Sequence, residues 1–317
     1  MHRMSHRICA FWLMVSLLLG FGATGAVLAE GTANSGNAAS SIEPVNRGIL
    51  WRVEHDGHAA YLFGTIHVGQ ASFYPLEPVV QRALAGADSL EVELDIRDQP
   101  PLKAAVEKYG VLTAPQTIDQ VISADTFKQL QDACTSLGVP LKGIARLKPW
   151  TVSNVLLALS LERAGFARDQ GVEVALLAQA KALGKPVVSL ETADYQIGLF
   201  DTLDAAQQEQ YLRETLQAIK SGKFKREGQQ LLDAWGRADS ATLEQLMLTE
   251  MAAPTVTADF TRRVLLEQRN PGLAQSIQNL IDRQQSSFVA IGLLHLVGAD
   301  SVPKILERHG YQVQKLY

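Results

Sequence analysis

The sequence predicts an α/β fold: one mixed β-sheet built from N-terminal, central and C-terminal strands and covered by long helical insertions. Three observations predict it. Apolar or alternating runs of strand length gather at the two ends of the chain and in one central piece, within residues 48–96, 185–191 and 286–317. The stretches between them repeat apolar residues at helical spacing instead. No short-period repeat of the solenoid kind occurs, only a weak echo of strand, Gly-x-x-His, helix and strand at each end.

Residues 1–29 place Arg3 and Arg7 ahead of an apolar stretch from about Ile8 to Leu19 and end in Val27-Leu28-Ala29. This is the layout of a secretory signal peptide cut after Ala29. The stretch is short for a membrane span and nothing like it recurs, so no retained membrane anchor is expected. Cys9 precedes the apolar run, where cleavage would not expose it for lipidation. The expectation is a soluble exported protein, periplasmic or secreted. Residues 30–47 read as a flexible leader, because EGTANSGNAASS buries too little to order itself.

The domain then runs from 48 to 317. ILWRVEH and HAAYLFGTIH flank Asp56-Gly57, a hairpin turn signal between two strands. PLEPVVQRALAGA has helical spacing, and SLEVELD alternates like a strand whose wet face carries Glu91, Glu93 and Asp95. Helical insertions follow around 100–182 and 193–285, with Gly110, Gly138, Gly165 and Gly184 where helices should stop. Between the insertions KPVVSLET reads as a buried strand ending at Glu191. SSFVAIGLLH is a second long apolar strand, SVPKILERHG a helix closed by Gly310, and YQVQKLY a terminal strand.

Charge and cysteine content exclude several functions. The formal charge of −4 becomes −6 once Arg3 and Arg7 are removed, and no basic run appears, which argues against nucleic acid as a partner. Only Cys134 remains in the mature chain, so neither a disulfide, a thiolate zinc cluster nor a redox CxxC is available. HExxH, a Gly-rich phosphate loop and GxSxG are absent. A bound metal would have to use histidine and carboxylate.

Two of the seven histidines stand in Gly-x-x-His, as GTIH at 64–67 and GLLH at 292–295. Such strings arise by chance in a chain of this composition, and their weight comes from position. Each closes an apolar strand, where an open α/β sheet places its ligands. His67 and His295 are therefore either metal ligands or satisfied turn and core residues. Carboxylates to complete a set are available at Glu91, Glu93 and Asp95, unless these simply face solvent. Glu191 ends the central strand and could bind metal, act as general base or stand at the start of the next helix. Arg269-Asn270 lie at a helix junction, where Arg269 could hold a carboxylate or oxyanion or serve as a cap. His55 and His58 flank the hairpin turn and read as solvated, and His309 suits the end of a helix.

Five stretches carry a resemblance to a known family. WRVEHDGHAAYLFGTIHVGQASFYPLEPVVQRALAGADSLEVELD at 51–95, LKPW at 147–150, GVEVALLAQAKALGKPVVSLET at 171–192, QRN at 268–270 and SSFVAIGLLHLVGADSVPKILERHGYQV at 286–313 span nearly the whole mature chain in order. Together they resemble the TraB/GumN family, which is related to the metazoan Tiki proteins. The resemblance implies a compact α/β fold in which the two Gly-x-x-His motifs and acidic residues converge. It implies metal-dependent proteolysis favouring manganese or cobalt; zinc also suits an imidazole and carboxylate set. His67 and His295 match the family histidines, Glu93 the glutamate of the strand after the first motif, Glu191 the Leu-Glu-Thr element, and Arg269 and Asn270 the Arg-Asn pair. Many bacterial relatives have Gly-x-Asp where this chain has Gly171-Val172-Glu173, which leaves the role of Glu173 open between ligand and helix cap.

The expected function is an exported metal-dependent hydrolase acting on a peptide or protein. His67, Glu93 and His295 would hold the ion, Glu191 would take a proton from water, and Arg269, beside Asn270, would stabilise the oxyanion. The alternatives are a non-catalytic envelope protein binding a peptide, a haem or an iron species, and one binding a partner protein.

Overall fold

The computed structural model describes residues 46–317; the expected signal peptide and most of the leader, within residues 1–45, lie outside the described residues. Six strands form one sheet: β1 (Leu50–His55), β2 (His58–Thr65), β3 (Ser89–Val92), β4 (Val187–Ser189), β5 (Ser287–Gly292) and β6 (Gln312–Lys315), in the order β4-β3-β5-β2-β1-β6. The pairs β4–β3, β3–β5 and β5–β2 are parallel. β2–β1 and β1–β6 are antiparallel, so the sheet is mixed, as predicted.

Local chemistry accounts for the elements that the sequence marked most clearly. Asp56 and Gly57 both have positive φ, 48° and 81°, as a tight two-residue hairpin turn requires. Alternation along β2 and β5 sends Phe63 and Phe288 into one core and Leu62 and Val289 into the other. Both insertions are helical, and their two longest helices, Pro149–Arg163 and Ala205–Lys220, belong one to each. They are joined through aromatic rings: Trp150 stacks on Phe200 at 4.9 Å, and Phe200 meets Phe260 at 5.2 Å. Fully buried rings of this size contribute on the order of 2–3 kcal/mol each. Trp235 serves both core and sheet, because its indole N–H donates to Gly64 O at 2.9 Å, where β2 enters the first Gly-x-x-His.

Three strand expectations need correction. β3 has no wet face: all four residues are buried, and Glu91 is fully so, because β3 lies between β4 and β5 in the sheet interior. Burial pushes the Glu91 pKa up, although Ser89 Oγ donates to its carboxylate at 2.5 Å. β4 is not a buried strand reaching Glu191. It stops at Ser189 and leaves Val188 44% exposed, because it is the sheet edge with a partner on one side only. β5 ends at Gly292, and Leu293–Leu296 turn into a 3₁₀ helix rather than continuing the strand.

Among the described residues no helix is long and apolar enough to cross a membrane. Cys134 is a buried free thiol whose pKa burial raises to about 11, which makes it inert.

Candidate functional site at the carboxyl ends of the parallel strands

The parallel register sets the two Gly-x-x-His motifs side by side, with Gly64 opposite Ile291 and Thr65 opposite Gly292. Each motif glycine makes room for another part of the site. A Cβ on Gly64 would meet Leu293 Cδ1 at 2.9 Å, in the turn of the second motif, and one on Gly292 would meet Glu93 Oε1 at 3.1 Å. Glu93 follows β3 and Glu191 follows β4, joined by a Glu191 N–H to Glu93 O bond of 3.0 Å.

Arg269 joins the two carboxylates. Its Nε donates to Glu191 Oε1 at 3.0 Å, its Nη2 to Glu191 Oε2 at 2.5 Å and also to Glu93 Oε2, and its Nη1 to Leu265 O at 3.3 Å. Leu265 belongs to a π-helical segment, Thr261–Glu267, that delivers Arg269 into the site. Gln196 adds a bond to Glu191 Oε2 at 2.6 Å and one to Glu93 Oε2 at 3.4 Å. The remaining Glu93 oxygen, Oε1, accepts the Gly292 N–H at 2.6 Å. Burial works against ionising Glu93, but the charges of Arg269 and His295 and the Gly292 N–H outweigh it and hold its pKa at about 2.

Asn270 orients His295. Its Nδ2 donates to Asp300 O at 2.7 Å, which turns Oδ1 toward His295 Nδ1 at 2.5 Å. These partners assign the imidazole proton to Nδ1 and leave a lone pair on Nε2, which faces Glu93 Oε1 at 3.7 Å. Burial, reinforced by Arg269 and His67 and opposed by Glu93, lowers the His295 pKa to about 4, so the ring is neutral near pH 7. His67 lowers the pKa of both Glu93 and His295, and its own Nδ1 stands 2.8 Å from Glu173 Oε1.

Acid should therefore loosen the metal-free protein. Folded His295 takes its proton near pH 4 and an ordinary histidine near 6.5, so the unfolded chain gains protons first and stability falls as pH drops through that window. Glu93 extends the loss below its ordinary value of 4.5, toward about 2. Urea midpoints measured in chelator from pH 7 to pH 4 should decline, and less steeply in His295→Gln. Parallel declines would contradict this assignment.

Of the residues marked in the sequence, Glu93, Glu191, Arg269, Asn270 and His295 form one connected network, with His67 beside it. Asp95 instead turns to the exposed Arg97, at 2.6 Å, and His55 and His58 sit at the opposite ends of their strands. Neither Glu191 nor Arg269 spends its side chain on a cap: Thr192 caps the helix after Glu191, and Arg269 makes no cap bond to its own helix. Gln196 and Thr65 were missed. A polar residue one turn into the helix behind Glu191 was the available signal for Gln196. A cavity of about 800 Å³ lies along the same π-helical segment, between Leu203, Val256, Phe260, Arg263 and Gln268, and neither the five residues of the network nor His67 lines it.

A family model described as the TraB/PrgY/gumN family matches residues 49–315. The chain belongs to the TraB/PrgY/gumN family. Similar members include the uncharacterized protein YbaP of Escherichia coli (strain K12), 26% identical over 261 residues that cover 78% of this chain and 87% of that protein. The metalloprotease TIKI homolog of Nematostella vectensis is 23% identical, over 84% of this chain and 66% of its own length. Metalloprotease TIKI1 of Danio rerio is 24% identical, over 84% of this chain and 62% of its own length. No solved structure matches.

Proposed function

We propose that this family member is an exported metal-dependent hydrolase acting as a peptidase, with His67, Glu93 and His295 as the ligands of one divalent ion. The observation that carries the reading is the pair of acceptors His295 Nε2 and Glu93 Oε1, which face each other at 3.7 Å while Asn270 occupies the other imidazole nitrogen. Two acceptors this close in a buried site repel unless a proton or a metal ion lies between them, and burial disfavours the proton on His295. Ligand distances of about 2.0–2.2 Å are within reach of that gap after a small shift. Among the described residues no three His, Cys, Asp or Glu are gathered closely enough to enclose an ion as they stand, and Arg269 grips the carboxylates instead. An ion held by His67, Glu93 and His295 would therefore require these side chains to leave the positions described.

A divalent ion supplies a Lewis acid that polarises a scissile carbonyl and acidifies water, and manganese or cobalt, with zinc as the third choice, suits these ligands. The chain's own groups do the rest. Among the described residues Glu191 Oε1 accepts only the Arg269 Nε bond, which leaves a lone pair able to take a proton from water. Arg269 Nη1 keeps one hydrogen beyond its bond to Leu265 O, able to donate to a developing oxyanion. Asn270 holds the His295 ring, and Gln196 holds Glu191. Export is supported by the Arg3, Arg7, apolar-stretch and Val27-Leu28-Ala29 pattern.

The test combines metal analysis after mild purification with cleavage of a peptide library with and without added manganese or cobalt. His67→Ala and His295→Ala are each expected to lower retained metal at least about tenfold and to abolish metal-stimulated cleavage. Wild-type metal content and activity in both variants would sink the reading. Retained metal with no cleavage of any peptide would favour a binding protein.

A further inference from the structure

We propose that Arg269 is a latch: its guanidinium is the cation that Glu93 and Glu191 share in this structure, and a divalent ion gains Glu93 only by taking it from Arg269. The inference rests on the metal reading, because it states what an incoming ion must displace.

Both oxygens of Glu93 are engaged. Oε2 accepts from Arg269 Nη2 and, at 3.4 Å, from Gln196 Nε2, while Oε1 accepts the Gly292 N–H at 2.6 Å. Arg269 is 8% exposed and distributes Nε, Nη1 and Nη2 over Glu191, Leu265 O and the two glutamates. Charges buried in this way are tolerated because each meets its counterion. A divalent ion on Glu93 would add two positive charges beside that guanidinium, and like charges repel strongly where water is excluded. Glu93 therefore serves one cation or the other.

The bonds are graded so that the latch opens on one side. Glu191 receives two guanidinium bonds, Nε to Oε1 at 3.0 Å and Nη2 to Oε2 at 2.5 Å, the paired geometry that fixes an arginine on a carboxylate, whereas Glu93 receives Nη2 alone. Giving up Glu93 costs Arg269 one partner and leaves its fork on Glu191 intact. The backbone beneath has slack at this point. Gln268 N–H donates to Arg263 O, five residues back, and Arg269 N–H to Leu266 O, three residues back. A wide π turn is thus closed by a tight one at Arg269 itself, a register seam of the kind that marks hinges and functional sites. The cavity lined by Arg263, Val264 and Gln268 leaves open space beside that seam.

The experiment follows the Arg269 and His295 side-chain signals of ¹⁵N-labelled protein, first in chelator at pH 7 and then during titration with zinc, the diamagnetic ion of the three that suit the site. In chelator the Arg269 Nη2 signals are expected to be resolved and slow to exchange, as for a guanidinium whose rotation is blocked. Zinc that moves the His295 ring signals should move the Nη2 signals with them, while the Nε–H bonded to Glu191 stays protected. Zinc affinity, read from the same titration, should rise at least about tenfold in Arg269→Met, and likewise in Arg269→Gln if the methionine variant does not fold. A residue that merely steadied a ligand would give the opposite sign. Bound zinc with unchanged Nη2 signals overturns the proposal, as does an affinity equal to or below wild type in a folded variant. If neither variant folds, the wild-type spectra decide. Zinc that reaches His295 in no form of the protein defeats the metal reading and the latch together, whereas zinc on wild type with no gain in the variants defeats the latch alone.

Discussion

Replacing Arg269 by methionine is expected to destabilise the metal-free protein by about 3–5 kcal/mol at pH 7, the scale found when a buried ion pair loses one partner. The substitution would leave Glu93 and Glu191, with side chains 19% and 9% exposed, facing each other without the guanidinium that separates their charges. Burial already opposes the ionisation of Glu93, and without the Arg269 charge its low pKa could not be maintained. Arg269→Lys should recover only part of the loss. A single ammonium cannot serve Glu191 through Nε and Nη2, Glu93 through Nη2 and Leu265 O through Nη1 at once. Urea unfolding in chelator measures the effect, and a loss below about 1 kcal/mol would show that the network is more solvated than its geometry indicates.

Gly69→Ala is expected to cost about 3 kcal/mol, near the upper end for overpacking. The added Cβ would lie 2.0 Å from Gln170 O, a backbone atom that no rotamer change can move. Relief requires the His67 segment to separate from the Glu173 segment, with loss of the Gly69 bond to Ala167 and the Val172 bond to Ile66. Gly272→Ala is the control, since nothing lies within 4 Å of its Cβ and it sits inside the helix Asn270–Asp282. There alanine should stabilise by about 0.5–1 kcal/mol, through helix propensity alone. Equal stabilities for the two variants, read from urea midpoints, would mean that the two segments part at no cost.

Much of the candidate site was legible in the sequence because its parts are locally encoded. A strand followed by Gly-x-x-His can be recognised within ten residues, and both copies proved to lie on adjacent parallel strands. Glu93, Glu191 and the Arg269-Asn270 pair were legible as candidates for a related reason: each stands just past a strand end or at a helix junction, and the fold brings them into one hydrogen-bonded network. Glu91 was misjudged because alternation shows which residues share a face of a strand, whereas burial of that face depends on the neighbours. β3 is an interior strand, so its acidic residue is enclosed. The central KPVVSLET run was misjudged in the opposite direction. Its apolar residues suggested a buried strand, yet β4 is the edge.

The sequence by itself determined the α/β class, the hairpin at Asp56-Gly57, the two strands that end in Gly-x-x-His and the residue types offered to a metal, because periodicity and turn chemistry act over a few residues. Only the tertiary structure decided which strands are neighbours, that Arg269 grips two glutamates from 176 and 78 positions away, that Asn270 bonds His295 and that Glu173 lies 2.8 Å from His67. The reason is physical. A buried charge takes whichever partner the packed sheet and helices bring within a few ångströms, and that proximity is a property of the folded chain.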